Sequence, residues 1–129
     1  MRKSNENSYA ASPGSVVDIA AEIRTGATTP NSVVQGYLER IADVEDAVKA
    51  WVSVDEAGAL AEASEMTREA AKGRFRGPLH GVPVAIKDIC DVAGWPTRCN
   101  SATRAHADLA TADADIVAAL RNAGAIVLG

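Results

Sequence analysis

The sequence predicts an α/β fold, and three observations carry that prediction. Apolar residues recur at helical spacing in four separate stretches. Between them lie short apolar runs with the length of strands, Ala50–Val54, the run after Pro83, and Ala125–Gly129. Glycine and proline punctuate the two kinds of segment in alternation, which favours helices crossing over a largely parallel or mixed sheet.

Each element has a local reason. Residues 1–14 read as a flexible polar lead-in. Ser15 offers an N-cap with Asp18 three residues on, and Val16, Ile19, Ala20 and Ile23 form an apolar stripe that Gly26 closes. Thr29-Pro30 restarts a helix with a capping hydroxyl and a proline in the first turn. Its stripe is Val33, Val34, Tyr37, Leu38, Ile41 and Val44, leaving Glu39, Arg40, Asp43 and Glu45 for water. Asp55 caps an alanine-rich helix running to about Lys72, and Gly73 ends it. From Ile89 to Thr111 periodicity vanishes, and a loop of that length usually has a function or covers something. Thr111 or Asp113 then starts a helix carrying Ile116, Val117 and Leu120, stopped by Gly124 before the last buried run.

Composition narrows the function classes. The chain is 47% apolar and 23% charged over 129 residues, which is globular rather than disordered and fits one domain by length. Three short strands make a narrow sheet, and fully buried strands need cover on both faces, so residues 15–129 read as part of a larger domain. A net charge of −4 with scattered basic residues gives no footprint for direct nucleic-acid binding. No run approaches the length of a membrane span and the start has no secretory pattern, so a cytoplasmic location without membrane attachment is expected. Cys90 and Cys99 are the only cysteines, and without histidines at metal spacing they read as reduced and incidental. No residue pattern implies a metal or an organic cofactor.

Chemistry concentrates in Gly77-Pro78-Leu79-His80-Gly81-Val82-Pro83-Val84-Ala85-Ile86-Lys87-Asp88. Gly77 and Pro78 mark a turn, and Pro83 cannot donate to a central ladder, so the strand starts at or just after it. Val82, Val84 and Ile86 share one face, while Ala85 and Lys87 share the other. An ammonium forced against an apolar sheet tends to lose its proton, and a neutral lysine is a general base. The same pattern also suits a lysine that ends a strand and reaches into water, offset by Asp88.

The order of pieces from about Ser15 to Gly129 resembles the amino-terminal part of amidase signature enzymes. The resemblance rests on Tyr37-Leu38-Glu39-Arg40-Ile41, the Gly77–Asp88 segment, Asp91-Val92-Ala93-Gly94-Trp95-Pro96-Thr97, the helix from Asp113 to Arg121, and Ala123-Gly124-Ala125-Ile126-Val127-Leu128-Gly129. It implies the amidase signature fold, a mixed sheet flanked by helices and incomplete in this chain, and hydrolysis of amide carbon–nitrogen bonds by two serines and a lysine. In the family a nucleophilic serine forms an acyl-enzyme, and a second serine at a cis peptide bond relays its proton to the lysine. Lys87 matches that lysine. The glycine- and serine-rich segment that carries the family's serines is absent here and is expected beyond Gly129. The fragment alone is then inactive.

The resemblance also implies a small-molecule amide substrate and leaves a homodimer and an amidotransferase-type subunit partner both open, along with a non-catalytic assembly module. Ser101 is the most tempting serine present, but lacks a strand-to-helix elbow and reads as a loop residue. Asp88 reads as positioning the loop or pairing locally, while Thr97, Asn100 and Ser101 fall where a family loop nears the catalytic region. His80 reads as a hydrogen-bonded turn residue, His106 as exposed and Asp113 as a helix cap. Cys90, Trp95, Arg98 and Cys99 stand where small or polar residues are commoner in the family.

Overall fold

The computed structural model describes residues 14–129, so the lead-in expected over residues 1–14 lies, but for Gly14, outside the described residues. The first helix, α1 (Val16–Thr25), opens on a reciprocal box. Asp18 N–H donates to Ser15 Oγ at 3.2 Å and Ser15 N–H donates to the Asp18 carboxylate at 3.0 Å. Gly26 closes it in the left-handed conformation, φ 79°. Ile19 and Ile23 are buried with Val82, whereas Val16, expected in the same stripe, is 52% exposed because the first turn projects past that cluster.

Thr29 caps α2 (Pro30–Val48), its Oγ1 accepting from Ser32 N–H at 3.1 Å. Helix α2 packs Val34 and Leu38 against Ala59, Ala63 and Met66 of α3 (Glu56–Ala70), which Asp55 caps. The alanines on α3 explain the close fit, since small side chains let the two backbones approach.

The strand expected over Ala50–Val54 does not form, and Glu45 competes for its first N–H groups. Its carboxylate was expected in water but accepts from Ala50 N–H at 3.2 Å and Trp51 N–H at 2.9 Å. Lys49 turns left-handed at φ 51°, so the chain folds back over the helix end. The segment still runs beside the sheet, where Asp55 N–H donates to Leu128 O at 2.8 Å.

Among the described residues the sheet is two parallel strands, β1 (Pro83–Val84) and β2 (Ile126–Val127), in register Pro83 with Ile126 and Val84 with Val127. Parallel neighbours need a crossover, which the long loop and α4 (Asp115–Asn122) supply. Pairing continues past the ends of both strands: Leu128 N–H donates to Val84 O and Ile86 N–H to Gly129 O, each at 2.9 Å. Ile126 and Leu128 pack onto α2 and α3, while Val127 packs with Val92 and Val117 on the opposite face. That alternation is the two-sided cover that buried parallel strands require. On α4 the expected stripe keeps Val117 buried but leaves Ile116 61% exposed, because one narrow face of a short helix meets the sheet.

Backbones approach closely where the Gly77–Asp88 segment meets the chain before β2. Gly81 N–H donates to Gly124 O at 2.9 Å, and Gly124 has φ 95°. His80 is buried beside it, its Nδ1 accepting from Arg76 N–H at 3.0 Å and its Nε2 lying 2.9 Å from Met66 O. Since Nδ1 accepts, Nε2 carries the hydrogen and donates to the carbonyl. His80 is thus the hydrogen-bonded turn residue the sequence suggested, and it pins the approach to β1 onto α3.

Candidate functional site

Pairing with β2 carries the chain in extended form as far as Ile86, and there it turns. Ile89 N–H and Cys90 N–H both donate to Lys87 O, at 2.7 and 3.0 Å. Lys87 therefore stands at the junction of a fixed strand and a tight turn, but of the face expected for Val82, Val84 and Ile86 only the last two pack together, against Val92, Val117 and Val127, while Val82 lies with Ile19 and Ile23. Its side chain is exposed and makes no hydrogen bond or ion pair among the described residues. The burial against an apolar sheet that the sequence suggested is not met by these residues.

Asp88 does not pair with Lys87. Its carboxylate accepts from Arg98 N–H and its carbonyl from Cys99 N–H, both at 2.9 Å, which docks the long loop onto the Lys87 turn. The positioning role considered for Asp88 is the one the geometry bears out. Cys99 and Asn100 are consecutive left-handed residues, φ 54° and 48°, and that reversal lets the loop reach Asp88 and then turn away.

The loop from Ile89 to Thr111 lacks periodicity but not order. Thr97 is buried and its Oγ1 donates to Asp91 Oδ1 at 2.6 Å, while Arg104 Nε donates to Thr97 O at 2.7 Å. Gly94 N–H bonds Ala110 O and Ala110 N–H bonds Trp95 O, around an antiparallel bridge of Pro96 with Leu109. Asp113 is not the helix cap expected of it. Ala114 holds that position, and the Asp113 carboxylate instead accepts from Ala93 N–H at 2.7 Å and meets Arg121 Nε at 3.1 Å. With no side chain at Ala114 to cap α4, the aspartate is left to tie loop to helix.

Together these contacts frame a groove of about 1070 Å³ whose wall includes Lys87, Trp51, Ala85, Trp95, Thr97 and Gly129. Asn100 also lines it, whereas Ser101 does not; its Oγ lies 2.8 Å from Thr103 Oγ1 in a local turn. His106 is exposed, away from the groove. Trp51 reaches the groove from a segment far from Lys87 in sequence, and no local pattern marks it. The Asp91–Thr97 bond was equally hidden, although its six-residue spacing inside an aperiodic loop is compatible with a closed turn.

Strong electrostatics lie elsewhere. Arg76 meets Glu69 at 2.8 Å and Glu62 and Glu65 at 3.5 Å each. The hydrogen bond from Arg76 holds the Glu69 carboxyl below the usual glutamate range, against a smaller opposing effect of burial. No group of three or more metal-ligating side chains occurs among the described residues. No helix among them is long and apolar enough to cross a membrane.

Comparison with known proteins gives these elements a context. The family model described as Amidase matches residues 32–129. The chain is 38% identical over 113 residues to a glutamyl-tRNA(Gln) amidotransferase subunit of Acidothermus cellulolyticus, covering 88% of this chain and 22% of that protein. It is 34% identical to an acylamidase of Rhodococcus erythropolis, covering 89% of this chain and 24% of the relative. Among solved structures, the peptide amidase of Stenotrophomonas maltophilia superposes with a TM-score of 0.79 at 35% identity, over 95% of this chain and 25% of that one. The chain thus spans about a quarter of the length of the proteins it matches.

Proposed function

The chain belongs to the amidase family, and from that premise we propose that it is the amino-terminal portion of an amidase-type hydrolase in which Lys87 is the catalytic base. Residues 15–129 would form part of one amidase signature domain. The two serines would come from the glycine- and serine-rich segment of the remaining domain. Breaking the amide carbon–nitrogen bond then follows a serine–serine–lysine scheme. The nucleophilic serine adds to the amide carbonyl as its proton passes through the relay serine to the lysine amine. The lysine returns that proton, again through the relay, to the departing nitrogen, leaving the acyl-enzyme for water to hydrolyse.

The observation that supports Lys87 above the neighbouring aspartates and His80 is its freedom. Asp88, Asp91 and Asp113 are committed to the loop, and His80 has both ring nitrogens engaged. Lys87 combines an uncommitted head group with a backbone held by the turn that follows the paired strand and an open groove around it. A base role further requires that the amine be desolvated, which the rest of the domain would have to provide.

The deciding experiment is Lys87→Ala in the complete protein carrying this segment, assayed on a simple amide. Loss of a general base predicts a fall in kcat of about 10²–10⁴-fold. Turnover within tenfold of the parent would end the assignment. The 129-residue chain alone is expected to show no turnover, and stoichiometric acylation of one of its serines by a serine-directed reagent would contradict the placement of the nucleophile. A second reading takes its support from the relatives named as glutamyl-tRNA(Gln) amidotransferase subunits, and places the parent in such an assembly beside another polypeptide. Copurification of the complete protein with a partner distinguishes it from a free-standing or homodimeric amidase.

A further inference from the structure

Cys90 and Cys99 lie nine positions apart in sequence, and the fold brings their segments together. Cys90 N–H closes the Lys87 turn by donating to Lys87 O, and Cys99 N–H donates to Asp88 O, one residue along the same turn. Arg98 N–H on the Asp88 carboxylate doubles that attachment. Both cysteines are free, both line the groove, and Cys99 is exposed while Cys90 is half-buried. The left-handed backbone at Cys99 and Asn100 holds Cys99 at this docking point.

We propose that Cys90 and Cys99 form a dithiol site that reacts with small-molecule disulfides and closes into an intrachain bond across the rim of the groove. The exposed Cys99 reacts first: its thiolate attacks one sulfur of the reagent disulfide, whose sulfur–sulfur bond breaks, and the released thiolate takes up the proton Cys99 gave to solvent. Cys90 then attacks the Cys99 sulfur of the mixed disulfide and displaces the second reagent thiol. Two protein thiols are oxidised to one disulfide and one reagent disulfide is reduced to two thiols. The product would fasten the 97–100 loop covalently to the turn that carries Lys87, where Asp88 now holds it by two hydrogen bonds. Nothing in this pairing depends on the role of Lys87.

Trypsin offers a direct readout, because Arg98 separates the two cysteines into peptides 88–98 and 99–104. After treatment of dilute folded chain with oxidised glutathione and quenching with acid, unreduced digests should contain these two peptides joined and lighter by two hydrogens than their sum. Titratable thiols should fall from two to none and return with dithiothreitol. Cys90→Ser should instead trap Cys99 as a lasting mixed disulfide with glutathione, since the resolving thiol is gone. Separate glutathione adducts on both peptides of the parent chain, two persistently free thiols, or a link found only between copies would each overturn the proposal.

Discussion

Gly124→Ala tests a close backbone contact beside the buried His80. A methyl group built on Gly124 would stand 2.7 Å from His80 Cα and 2.9 Å from His80 N, where carbon contacts are at their best near about 3.5–4.0 Å. Both obstacles are backbone atoms, so rotating a side chain gives no relief. His80 itself is held from two sides by Arg76 and Met66. At φ 95° alanine also carries a left-handed penalty of about 1–2 kcal/mol. Overpacking adds about 1–3 kcal/mol, for a total of about 2–5 kcal/mol. Gly26→Ala separates the two contributions, since Gly26 has φ 79° but nothing within 4 Å of the added methyl. It should cost only the conformational part. Urea unfolding followed by far-ultraviolet circular dichroism measures both, and equal losses for the two variants would refute the close-approach argument.

Further outcomes follow from burial and charge. Met66 is fully buried between α2, α3 and β2, so Met66→Ala should lower stability by about 2–5 kcal/mol in the same urea assay; a loss under about 1 kcal/mol would contradict the packing. Lys87→Ala should leave the chain within about 0.5 kcal/mol of the parent, because the side chain is exposed and unpaired, and a larger loss would mean that it supports the fold. Arg76 lowers the Glu69 carboxyl in the folded state, so the stability it contributes is present above the unfolded glutamate value of about 4.3 and fades as pH falls through the lower folded value. Glu69→Gln should therefore flatten the acid limb of a stability–pH profile, and an unchanged limb would remove that ion pair from the account.

Features encoded within one turn of helix were legible in the sequence. The Ser15–Asp18 box, the Thr29-Pro30 start, the Asp55 cap and the left-handed Gly26 all need only neighbours a few residues away. Readings failed where a distant or competing partner decided the outcome. Glu45 took the N–H groups of Ala50 and Trp51 at the start of the strand expected over Ala50–Val54. Asp113 bonded Ala93, twenty residues back, instead of capping its own helix. Val16 and Ile116 obey the helical period, yet the period cannot say how far along a helix its neighbour extends.

Lys87 shows where this division falls inside a single site. Its place at the end of a paired strand is written in the alternation of Val84 and Ile86, and its turn is secured by Asp88 one residue later. Its solvation is written in neither. Trp51 and Trp95 come from opposite sides of the sequence to flank the groove, and even together they leave the ammonium in water. On the proposed reading, this quarter of the family's length fixes the backbone of the base while the remaining segments set its protonation. Positioning and activation are then separable. A variant that loosens the turn without touching the head group, such as Asp88→Ala, would impair catalysis in the complete protein by misplacing Lys87 while leaving its solvation to the covering segments.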